Sequence, residues 1–81
     1  MRCADLPEAG QVDLKVYDLA GRQVRQLLSA QMPAGSPRVI WNGQDDFGHP
    51  LESGVYFLVL RVKLDHAAKE LVATRKVVLM K

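Results

Sequence analysis

Cysteine is all but missing from this sequence: Cys3 is the single one, so no internal disulfide can form and no zinc site can be built from thiolates. Near a chain end, where fraying is common, Cys3 reads as a spare thiol; a lipidated or cross-linking cysteine would want a hydrophobic signal ahead of it. Aromatic residues are nearly as scarce. Tyr17, Trp41, Phe47, Tyr56 and Phe57 are all there are, so aliphatic side chains must fill most of any core. Long apolar runs are lacking too: the longest, residues 55–60, falls far short of the ~20 that a membrane-crossing helix needs. No export signal opens the chain, so work outside the cytoplasm would require a larger parent protein to carry one. Charge of one sign is also lacking. The net charge is +2, acids lie between many of the Lys and Arg residues, and Arg75-Lys76 is the one tight basic pair. Nucleic acid is therefore not an expected partner, since it asks for a basic stripe or patch.

What remains is a chain of 81 residues, 48% hydrophobic and 25% charged, enough for one small globular domain over 1–81. A core of that size with no staple predicts modest stability.

The clearest pattern lies in residues 12–22. Val12, Leu14 and Val16 alternate with Asp13, Lys15 and Tyr17, the period of a strand with one buried face. Asp18-Leu19-Ala20-Gly21 turns the chain, with Gly21 at a position suited to a positive φ. A second, rougher strand follows over 24–28. Pro7 and Gly10 break the chain before the hairpin, and Pro33-Ala34-Gly35-Ser36-Pro37 is a turn-rich connection after it. Residues 38–41 read as a strand with Val39 and Trp41 inward. Ser53-Gly54 launches the longest strand, 55–64, which places Tyr56, Leu58, Leu60 and Val62 on one face. Residues 65–70 make the last turn, the one segment that suits a helical turn, and 71–80 form a closing strand. Short strands at regular spacing, with no long helical periods, predict an all-β antiparallel sandwich of roughly six to seven short strands. The expected core is Val12, Leu14, Val16, Val39, Trp41, Tyr56, Leu58, Leu60, Val77 and Leu79.

Chemistry is thin. His49 and His66 are the only histidines, and Ser29, Ser36 and Ser53 sit in or beside turns, so no catalytic triad is organised. The expectation is no enzyme and no cofactor. The loop Asn42-Gly43-Gln44-Asp45-Asp46-Phe47-Gly48 offers oxygen ligands, which makes Asp45 and Asp46 candidate calcium ligands. Its spacing departs from an EF-hand loop. Carboxylates bonding backbone amides to set turns are far commoner, and that is the preferred reading. Trp41 is expected in the core; a carbohydrate-binding module would want two or three exposed aromatics forming a platform.

The ordered string Leu6-Pro7-Glu8-Ala9-Gly10, residues 12–22, Ala34-Gly35, Trp41-Asn42-Gly43, Asp45-Asp46, Gly48, Ser53-Gly54-Val55-Tyr56-Phe57 and Thr74-Arg75-Lys76 resembles one family. It is similar to the C-terminal Ig-like domain of flagellar hook-capping proteins, and to the C-terminal sorting domains of type IX secretion cargo. The resemblance covers nearly the whole chain and implies an Ig-like sandwich. The family begins further upstream, so the first strand is expected to be shortened. The chain also has Asn42 where the family often has Asp.

As a sorting or anchoring module, the domain would be recognised by an outer-membrane secretion apparatus and carry its parent protein through the periplasm to the cell surface or medium. The resemblance places that signal at Gly54, Val55 and Tyr56 and at the closing Lys76, Val77, Val78, Leu79, Met80 and Lys81. A structural domain packing against neighbouring subunits of a hook cap or similar assembly is the alternative, and an accessory carbohydrate-binding module comes third.

Overall fold

The computed structural model describes residues 6–36, 38–67 and 69–80. Four strands account for the regular structure: β1 (Gly10–Tyr17), β2 (Gln23–Met32), β3 (Gly54–Leu64) and β4 (Glu70–Leu79). They form one antiparallel sheet in the order β2-β1-β3-β4, two hairpins joined at their inner strands. The molecule measures 40 × 21 × 19 Å, its long axis close to the ~36 Å that an eleven-residue strand spans at ~3.3 Å per residue.

The alternation in β1 and β3 does what its period demands. Val12, Leu14 and Val16 are buried opposite Val62, Leu60 and Leu58, because directly paired residues of an antiparallel ladder share a face. Leu6, Tyr56 and Leu64 complete the buried core, and Val24, Leu27, Leu28, Met32, Val39, Trp41, Leu51, Ala67, Val77 and Leu79 pack against it half-buried. All ten residues expected in the core thus lie in it or against it. Leu6, Val62 and Leu64 were not on that list.

β2 runs longer than the expected 24–28, and its roughness has a cause. The β1–β2 register slips between Leu14 and Lys15 and again between Val16 and Tyr17, leaving Leu27 and Val24 as extra residues. Each bulge resets the alternation, so Val24, Leu27 and Leu28 can all pack on the core from a strand, despite an i, i+3, i+4 spacing that a helix would also give. Gly10, expected to be a breaker, is instead the first residue of β1. A Cβ there would stand 2.6 Å from the Lys63 carbonyl oxygen, so the close approach of β1 to β3 requires glycine.

The expected sandwich of six to seven strands is corrected to four strands in one sheet among the described residues, with no helix. Residues 38–41 account for part of the difference. Val39 and Trp41 face the core as their alternation predicts, yet 39–41 pair with no neighbouring strand. Periodicity reports burial; a strand also needs a ladder partner. The chain between β2 and β3 therefore covers the sheet as irregular structure, pinned by antiparallel bridges Leu6↔Gly35 and Gln44↔Pro50. The expected helical turn at 65–70 is likewise absent where described: Asp65, His66 and Ala67 form bends. The first five residues, including Cys3 and any shortened first strand, lie outside the described residues.

Candidate functional site

Two ends of the fold hold the residues singled out above. At one end, Asp18 builds the β1–β2 turn. Its Oδ1 accepts from the backbone N–H groups of Ala20 and Arg22, both at 2.9 Å, and its Oδ2 accepts from Arg22 Nε at 3.0 Å. Gly21 completes the turn at φ +83°, as its place in the sequence predicted. The Arg22 N–H is the main cause holding the Asp18 carboxyl below the usual carboxylate range. The turn therefore satisfies itself, and the hollows lined by Asp18 and Arg22 on either side of it are shallow and open.

The 42–50 loop uses the same chemistry. Asp45 Oδ1 accepts from the N–H groups of His49 and Phe47, each at 2.9 Å, and the His49 imidazole lies 3.7 Å from Oδ2. The His49 N–H is the leading cause of a lowered Asp45 pKa, with Phe47 and the nearby His49 and Arg25 charges adding to it. Arg25, on the core face of β2, reaches over to donate to the Asp45 carbonyl at 2.8 Å. Asp46 does something the sequence did not announce. Its Oδ1 accepts from Gln26 N–H at 2.9 Å and its own N–H donates to the Val24 carbonyl at 3.1 Å, so the loop caps part of the β2 edge.

Calcium would have to compete with these bonds. Asp45 and Asp46 spend oxygens on separate amides, and among the described residues no three His, Cys, Asp or Glu side chains gather as metal ligands would. The domain is expected to melt at the same temperature in calcium and in chelator; a midpoint several degrees higher in calcium would make both aspartates ligands. The pH response has a definite sign. Folded-state pKa values below the ordinary 3.8 mean that Asp18 and Asp45 contribute stability fully above that pH, and that it is lost as pH falls through the folded values. Asp45→Asn should flatten the acid limb of a stability–pH curve, while an unchanged limb would assign the acid sensitivity elsewhere.

The two halves of the expected sorting signal meet in space. Gly54, Val55 and Tyr56 pair with Leu79, Val78 and Val77 in the β3–β4 ladder, and Lys76 lies opposite Phe57. Beneath them Tyr56 meets Trp41 edge-on, with ring centroids 5.7 Å apart at 73°, and the Tyr56 hydroxyl donates to the Glu52 carbonyl at 2.8 Å. Trp41 Nε1 donates to the Gln44 carbonyl at 3.0 Å. Leu79 closes over Gly43, where an added Cβ would come within 3.1 Å of Leu79 Cδ1 and where φ is +78°. Val78 and Met80 stand out in solvent, and Lys81 lies outside the described residues. Trp41 thus packs half-buried on the core side of the sheet.

β4 differs from every other strand. Eight of its ten residues are exposed, and it pairs with β3 in an unbroken register of ten residue pairs. Among the described residues its backbone makes no hydrogen bond outside that ladder. The closing strand expected over 71–80 is thus the open edge of the sheet. Nothing in a period-two pattern says which strand ends up outermost.

No curated protein matched the chain in a search by sequence. The model of the FlgD Ig-like domain, by contrast, matches residues 5–65, well over half of the sequence, from just before β1 to the end of β3. That family is a structural, non-catalytic one. With the β1–β2 hairpin, its Asp18–Gly21 turn, the Trp41-Asn42-Gly43 loop and the Gly54 start of β3 all inside the matched span, the chain belongs to the FlgD Ig-like domain family.

Proposed function

We propose that this chain is a non-enzymatic structural module of the flagellar hook-capping kind, acting by packing against neighbouring protein subunits in an assembly. The observation that carries this reading is the family match over residues 5–65. The form of the molecule supports it. Asp18 serves the β1–β2 turn and Asp46 caps the β2 edge, both structural uses. What the fold offers a partner is surface: an open sheet edge and the exposed apolar side chains Val72, Val78 and Met80.

A second reading keeps its place because of one observation. Gly54–Tyr56 and Val77–Leu79 form one contiguous patch at the end of the sheet, as a signal read by a secretion apparatus would require. In that reading the domain is the sorting or anchoring module of a larger exported protein, working at the cell surface or outside the cell. One pair of experiments separates the two. Grafted in place of the Ig-like domain of a hook-capping protein, the chain is expected to support hook assembly. Fused behind an exported reporter in a host with the type IX apparatus, it is expected to leave the reporter in the periplasm. Delivery of the reporter to the surface, abolished by removing residues 76–81 from a variant shown to stay folded, would replace the first reading with the second.

A further inference from the structure

We propose that β4 is a self-association edge: two copies of this chain pair β4 against β4 about a two-fold axis through Ala73, joining their sheets into one of eight strands. This surface does not depend on which assembly the module serves.

Three observations lead there. The first is the contrast between the two edges of the sheet. β2 is broken by two bulges and capped by Asp46, devices that keep an edge from pairing with another chain. β4 has neither a bulge nor a proline, and among the described residues nothing lies hydrogen-bonded along it. Ten residues of free edge are a template for another strand.

The second is exposed apolar surface on both faces of that edge. Leu71 is 36% exposed and Val72 55% exposed, and among the described residues no strand lies beside either on the open side. A strand laid against β4 would cover both.

The third decides the occupant and the register. In a two-fold antiparallel pairing, residue i faces the residue reflected through the axis, and facing residues share a side of the sheet. With the axis at Ala73, Glu70 faces Lys76 of the other copy, twice by symmetry. Val72 then faces Thr74, and Leu71 faces Arg75, whose methylene stem can lie over it. Ala73 meets its own copy at the axis, where a small side chain suits close approach. Shifting the axis to Thr74 puts Glu70 opposite Val78 and Lys76 opposite Val72. Shifting it to Arg75 or to Lys76 sets like charges against each other, which is destabilising. The basic residues of β4 would repel a random strand edge. Against its own copy they select one register.

The charges also define the test. The chain should sediment as a concentration-dependent dimer, more weakly at high salt because the two ion pairs are exposed. Lys76→Glu sets acid against acid twice and should raise the dimer dissociation constant about tenfold or more. Glu70→Lys should do the same. It also removes the exposed 3.3 Å pair between Glu70 and Arg61, which contributes little to folding. The double variant Glu70→Lys/Lys76→Glu restores unlike charges in the same register, and association should return to within about threefold of the parent chain. Circular dichroism and melting of each variant show that the monomer still folds. A parent chain that stays monomeric up to about 1 mM overturns the proposal. So does a dimer indifferent to both single changes, or one that the double change fails to rescue. A dimer that behaves as proposed while the hook graft fails leaves this inference standing and removes the hook-cap reading alone.

Discussion

Leu14→Ala should destabilise the domain by about 2–5 kcal/mol, the range for emptying a buried leucine site. Leu14 is 3% exposed at the centre of the sheet, with Leu28 opposite on β2 and Leu60 opposite on β3. Neither ladder can collapse into the hole without breaking the register of the other strand. An 81-residue domain at ~0.05–0.15 kcal/mol per residue has a total stability of roughly 4–12 kcal/mol, so this one change removes a large part of it. The melting midpoint should fall by roughly 10–40 °C, at about 4–8 °C per kcal/mol. Lys15→Ala, one residue along on the opposite face, is the control and should stay within about 0.5 kcal/mol. Urea titrations of the three proteins decide it. Equal losses at positions 14 and 15 would mean that the buried face is misassigned.

Trp41→Ala should cost about 3 kcal/mol, the lower end of the range for deleting a large aromatic, because the ring is only half-buried. Its effect comes through the cover of the sheet. The edge of the ring on Tyr56 and the 3.0 Å bond from Nε1 to the Gln44 carbonyl hold the 38–44 segment down over β3. Trp41→Phe keeps an aromatic ring and loses the bond, so it should cost about 1 kcal/mol from that source. As the single tryptophan, Trp41 reports its own environment, and its emission should shift to longer wavelength on unfolding. A wild-type spectrum already typical of water, or an alanine variant as stable as the parent, would show that this segment does not cover the core.

Much of the fold was legible in the residues. The period-two runs in β1 and β3 need no partner to be recognised, and each buried the side chains its alternation assigned. The Asp18-Leu19-Ala20-Gly21 turn was legible for the same local reason, since a short acceptor side chain and a glycine at positive φ close a hairpin by themselves. The preferred role of Asp45 as a setter of turns follows from bonds to residues two and four positions away. The spatial meeting of Gly54–Tyr56 with Val77–Leu79 follows once β3 and β4 are read as a hairpin.

The remainder depends on residues far apart in the chain. Leu6 is buried because Gly35 pairs with it, and the sequence around Leu6 reads only as a break. Val24 and Leu27 pack on the core because two bulges re-aim them, and the need for those bulges is set by β1. Residues 39–41 carry a strand's pattern without pairing as a strand. Asp46 lies 20 residues from the Gln26 amide that it caps, so no local motif marks it.

By itself, then, the sequence determined the all-β character, the inward faces of its two central strands, the turns closed by nearby side chains, and the family, because each rests on interactions within a few residues or on residue order. Among the described residues, the tertiary structure decided that four strands form a single sheet, that most of the chain between β2 and β3 covers it as irregular structure, and that one edge is capped while β4 stays open. Strand order and edge exposure are properties of the whole sheet. They depend on which distant segments meet, and a period of two is the same in a central strand as in an edge.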